Sequence, residues 1–152
     1  MVAGFGNTLL QDEGLGVHLI RELQRKSYPA PVEFRQAGTA SLELIPHLAE
    51  VDHLIILDAL LSGAQPAQVS IFGADDLRTN PAPSISVHQL GLSQTLALAS
   101  RLGYHPTVTI FGVEPQNMRD CSLQLSPTLQ KAWPMIIAQA DQLIREIAAS
   151  YA

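Results

Sequence analysis

Cysteine is nearly missing from the 152 residues: Cys121 stands alone, which excludes an internal disulfide and any site built from several thiolates. A metal, if one binds, must be held by His, Asp or Glu. Basic residues are scarce as well. Nine Lys and Arg against fourteen Asp and Glu leave a formal charge of -5, and the nine form no patch in sequence, which argues against a nucleic-acid surface. No apolar run approaches the roughly 20 residues that span a bilayer, and no signal peptide precedes the first apolar run. The expectation is a soluble cytoplasmic protein with no membrane insertion. Internal repeats and low-complexity linkers are absent. So is a Gly-x-Ser-x-Gly elbow, which sets serine hydrolase chemistry aside.

What is present is a chain 47% hydrophobic and 15% charged, enough for one globular domain over residues 1–152 with a sizeable core. Strand and helix patterns alternate along it. Met1 to Phe5 is a short apolar run, followed by a glycine-rich turn and then by Leu15, Leu19, Ile20 and Leu23 at helical spacing. Val32 to Arg35 reads as a second strand. Leu42, Ile45 and Ala49 share one face of a short helix that Pro46 should bend. His53 to Asp58 is an almost continuous apolar run ending in an acid, the pattern of a strand buried on both faces of a parallel sheet.

Val69 to Phe72 is a further strand, and Asp75 to Pro83 reads as a surface loop. Ser86 and Gln89 have capping-box spacing, so a helix starts there with His88 in its first turn and Leu92, Leu96 and Ala99 turned inward. Thr107 to Val113 is the last strand. Ser126-Pro127 caps and opens a final helix, kinked at Pro134, whose buried face runs from Leu129 to Ile147. The order of elements gives a three-layer α/β/α fold around a mainly parallel sheet of about five strands.

The stretch from Gly4 to Gly16 joins the first strand to the first helix, at the edge of the sheet where ligands of open α/β folds collect. Its start looks like a dinucleotide fingerprint, but Leu9 replaces the third glycine, and the acids Asp12 and Glu13 would repel a pyrophosphate. Glu13, Asp58 and His88 stand on three turns expected at that same edge. Two carboxylates and one imidazole make an open nitrogen-and-oxygen set suited to a borderline divalent metal. Each also has a plain structural role open to it, as a cap, a surface residue or a partner of a helix dipole. Cys121 reads as an incidental thiol, and His18, His47, His53 and His105 belong to no motif.

Several long segments carry a resemblance. Gly4-Phe5-Gly6-Asn7-Thr8-Leu9-Leu10-Gln11-Asp12-Glu13-Gly14-Leu15-Gly16-Val17, Gly38-Thr39-Ala40, Leu54-Ile55-Ile56-Leu57-Asp58-Ala59 and Ser86-Val87-His88-Gln89-Leu90-Gly91-Leu92 are similar to the nickel-iron hydrogenase maturation endopeptidases. Phe111-Gly112-Val113-Glu114-Pro115 and Leu125-Ser126-Pro127 extend the likeness over nearly the whole chain.

The resemblance implies an endopeptidase, akin to an aspartic type, that removes a C-terminal extension from a hydrogenase large-subunit precursor after nickel insertion. It implies that Glu13, Asp58 and His88 bind the metal and carry the reaction, and that Gly38 and Thr39 contact substrate. It also implies no resident cofactor: nickel arrives with the substrate, and Zn or Cd can replace it in vitro. Gln36 departs from the family, whose members often have an aspartate there. Whether the metal or a carboxylate activates the water is left open. The alternatives are a nickel-binding assembly factor that docks without cutting and a nucleotide-binding module.

Overall fold

The computed structural model describes residues 1–79 and 87–152, the side chains of 77–90 excepted. Five strands form one sheet: β1 Val2–Phe5, β2 Phe34–Gly38, β3 His53–Ala59, β4 Val69–Gly73 and β5 Thr107–Val113, in the order β2-β1-β3-β5-β4. All neighbours run parallel except β4, which returns antiparallel to β5 at one edge. The helices are α1 Leu15–Leu23, α2 Ala74–Thr79, α3 Val87–Arg101 and α4 Pro127–Ala149, with 3-10 helices at Gln11–Gly14 and Ser41–Glu50.

The two-residue pleat sorts the strand side chains into two cores. Val2, Ile55, Leu57, Phe111 and Val113 pack against Leu15, Leu19, Ile20 and Leu23 of α1 and Leu129, Ile136, Ala140 and Ile144 of α4. On the other face Ala3, Phe5, Leu54, Ile56 and Ile110 meet Leu44 and Leu48 of the 3-10 helix and Leu92 and Ala99 of α3. Sandwiching by helices on both faces explains why β3 reads as a continuous apolar run.

Four expectations are corrected. β2 lies at Phe34–Gly38, not Val32 to Arg35, because parallel pairing with β1 pulls its register forward to Phe5↔Gly38. The helix after it buries Ser41, Leu44 and Leu48, one residue back from the expected Leu42, Ile45 and Ala49. The sequence offers apolar residues on both faces. The buried face is the one that packs on α3: Leu44 and Leu48 join Leu92 and Ala99 in one core, and Ser41 Oγ lies 3.0 Å from Thr95 Oγ1. The expected loop at Asp75 to Pro83 begins instead as helix α2; its later residues lie outside the described ones. Ser126 occupies the N-cap position of α4, but its side chain makes no capping bond. The helix then runs on through Pro134.

Candidate active site

Strand order decides where chemistry can be placed. From β1 the chain crosses to β2 over the face that α1 covers, then doubles back past β1 to β3 over the other face. The chain leaves β1 toward β2 and leaves β3 toward β4, in opposite directions along the sheet, which leaves a crevice outside the carboxyl ends of those two strands. Glu13 follows β1 and Asp58 lies near the end of β3.

Glycines bring the pieces together. A Cβ on Gly6, whose φ is +121°, would stand 1.6 Å from the carbonyl oxygen of Glu13, so only glycine lets the Gln11–Gly14 turn fold back over the end of β1. A Cβ on Gly16 would stand 2.1 Å from the Leu57 carbonyl and 2.5 Å from that of Phe5. The start of α1 is therefore pressed onto the ends of β1 and β3 at once. Glu13, three residues earlier, is carried to the strand end that holds Asp58.

Asp58 is 2% exposed, with Oδ1 accepting the N–H of Ala59 at 2.9 Å. Glu13 is half-buried. Among the described residues no three His, Cys, Asp or Glu side chains gather as a metal-binding group. His88 falls in the first turn of α3, but its side chain lies outside the described residues. The segments that carry Glu13 and Asp58 thus meet at one edge of the sheet. Gly38 ends β2 with φ +56°, and its carbonyl accepts the N–H of Gly6 at 2.8 Å, so it borders the same edge. Thr39 beside it is exposed.

Two further carboxylates at this edge were not singled out as functional from the sequence. Asp12, fully buried, accepts the N–H groups of Gln116 and Asn117 on Oδ2, each at 2.9 Å, and that of Ser126 on Oδ1 at 2.7 Å. Glu114, 6% exposed, accepts from Ser62 N and Oγ at 2.7 and 2.6 Å, with Gly63 N at 3.3 Å. Both tie loops to the crevice. The signal for Glu114 was an acid placed directly after a buried strand; for Asp12 there was none beyond its place beside Glu13.

A cleft of about 520 Å³, lined by Leu61, Pro115, Gln116, Asn117, Met118 and Arg119, opens beside these loops. Leu9 and Leu123 are also exposed, to 61% and 67%. Cys121 is exposed on the loop between β5 and α4. Of the other histidines, His47 and His105 are exposed. Burial lowers the pKa of His18 and His53, and His53 Nε2 lies 2.9 Å from Thr109 Oγ1.

The sequence model of the family described as HycI, hydrogenase maturation protease, matches residues 17–142. The hydrogenase 2 maturation protease of Escherichia coli is 35% identical over 149 residues, covering 96% of this chain and 90% of that protein. The hydrogenase expression/formation protein HupD of Bradyrhizobium diazoefficiens is 32% identical, covering 96% and 78%. Among solved structures, the hydrogenase maturating endopeptidase HybD from E. coli superposes with a TM-score of 0.82 at 34% identity over 95% of this chain and 91% of that one. The NiFe hydrogenase maturation protease HybD from Thermococcus kodakarensis gives 0.77 at 25% identity over 94% and 97%.

Proposed function

Since the chain belongs to the hydrogenase maturation protease family, we propose that it cuts the C-terminal extension from a hydrogenase large-subunit precursor only after nickel has been inserted. It is an endopeptidase, and the likeness to known maturation proteases supports that reading over a non-cleaving assembly factor. The nickel is part of the substrate. Glu13, Asp58 and His88 complete the coordination of an ion that the precursor already holds, and so bring the scissile peptide to the crevice.

What supports this reading is that the turn carrying Glu13 packs onto the end of β3, the strand that carries Asp58. A set with no thiolate and at most one imidazole is poor at taking nickel from cellular competitors, yet adequate to finish the coordination of an ion held by another protein. Division of labour follows from burial. Asp58, 2% exposed and hydrogen-bonded to Ala59, is the rigid ligand. Glu13, less buried, is the better placed of the two to take a proton from water as the water oxygen bonds to the carbonyl carbon, and to return it to the peptide nitrogen as the C–N bond breaks and the amine leaves. Gly38 and Thr39, at the neighbouring strand end, meet the backbone of the segment to be cut.

The test is incubation with matched nickel-loaded and nickel-free precursors, followed by mass measurement of the large subunit. Trimming of the loaded form alone is expected. Equal trimming of both would refute nickel gating and leave an ordinary peptidase; binding without trimming would remove the activity.

A further inference from the structure

We propose that Asp12 is a positioning residue for the cleavage: its buried carboxylate, gripped by main-chain N–H groups from the distant β5–α4 connection, sets where Glu13 stands. The inference rests on the role given to Glu13 above.

Asp12 cannot itself meet substrate, being fully buried with both oxygens engaged. Its donors are 104, 105 and 114 residues away in sequence. One of them, Ser126 N–H, belongs to the N-cap of α4, where the helix dipole also favours a negative charge. The main chain is pinned too. Asp12 N–H donates to Asn117 O at 3.0 Å, Gln11 N–H to Ser122 O at 3.0 Å, and Ser122 N–H to Leu9 O at 3.1 Å. Residues 9–12 are thereby stitched to residues 117–122, and Gln11 is held at φ +51°, a left-handed conformation seldom taken without constraint.

With residue 12 fixed through backbone and side chain, the direction in which Glu13 leaves the turn is fixed one peptide later. An acid is required. An amide has a single acceptor oxygen, so Asn would satisfy one side of the clamp and turn its NH2 toward N–H donors on the other. The clamp makes the β5–α4 connection part of the active-site frame even though it supplies none of the proposed ligands.

The test compares cleavage of nickel-loaded precursor by the full chain, by Asp12→Asn, and by Ser126→Pro. The second variant removes one donor while leaving the Asp12 carboxylate in place. Ser126 has φ -59° and ψ 155°, a conformation that proline adopts and that suits a residue before Pro127. It keeps the test valid should Asp12→Asn fail to fold. Ile144→Val, in the α1–α4 core, is the control for general destabilisation. Below the melting temperature, Asp12→Asn should cut roughly tenfold or more slowly, since small misplacements of a reacting group are costly. Ser126→Pro should cut about fivefold more slowly, and the control at the wild-type rate. In long single-turnover incubations, adding Asp12→Asn to Glu13→Gln should slow cleavage no further, because Asp12 acts through Glu13.

Wild-type rates in Asp12→Asn or in Ser126→Pro, an equal loss in the control, or losses that multiply in the double variant would each overturn the inference. Failure of the wild-type chain to cut loaded precursor would instead overturn the function proposed above.

Discussion

At the amino end of the sheet, Glu33, Asp52 and His53 border a cleft of about 470 Å³. At the carboxyl end, Asp12 and Glu13 follow β1, Asp58 lies near the end of β3 and Glu114 follows β5. Acids of both ends could be taken for a site by composition, and cavity size does not separate them. Burial does. Glu33 and Asp52 are exposed, with Glu33 ion-paired to Arg35 at the surface. At the carboxyl end Asp12, Asp58 and Glu114 are 0%, 2% and 6% exposed, each accepting main-chain N–H bonds. A carboxylate is costly to bury unless its oxygens are satisfied, so three such groups at one edge mark a frame built around them. A surface acid at the other end costs nothing and implies nothing.

The largest expected effect tests that contrast directly. Glu13→Gln or Asp58→Asn should slow cleavage of loaded precursor by roughly a hundredfold or more, while Glu33→Gln and His53→Gln at the amino end leave the rate within about twofold. Mass spectrometry of the large subunit reads both. Comparable losses from the amino-end variants would erase the distinction.

Stability should divide the other way. Ile56, 2% exposed in β3 and two residues from Asp58, should cost about 2 to 5 kcal/mol when cut to Ala, whereas Asp58→Asn keeps the shape and an oxygen able to accept from Ala59. Denaturant unfolding in which Asp58→Asn proved the more damaging would make the acid a structural residue first.

The smallest effect belongs to pH. Burial holds the pKa of His53 below its ordinary value of 6.5, so the folded protein disfavours the protonated ring that the unfolded chain accepts. Stability from this group is fully present above 6.5 and is lost as pH falls through the lowered value. Melting temperature should decline between about pH 7 and 5, less steeply in His53→Gln. The pH profile of cleavage should be unchanged by that substitution, because His53 lies at the wrong end of the sheet. A shifted profile would connect the two ends.

How much of this was legible beforehand varied with the kind of signal. The run from His53 to Asp58 announced a strand covered on both faces, and Leu15, Leu19, Ile20 and Leu23 announced a helix with one buried side, because a single periodicity fitted each. The segment from Ser41 to Glu50 had apolar residues on two faces. Local pattern offered no choice between them, and packing against α3, with Ser41 beside Thr95 54 residues away, made it. β2 was displaced for a similar reason: its ends are set by β1.

The candidate site divides in the same manner. The position of Glu13 and Asp58 at one edge was legible because residues that follow parallel strands gather there, a consequence of chain direction that element order alone determines. Composition excluded a cysteine-built metal centre with equal security. That Asp12 would be turned inward as an anchor, while its neighbour Glu13 stayed less buried, was undecided by sequence, since adjacent acids on a turn are alike until something packs on one of them. The tertiary structure decided it by bringing the N–H groups of Gln116, Asn117 and Ser126 to Asp12. Those donors come from more than a hundred residues away, and no local propensity records where such groups will point.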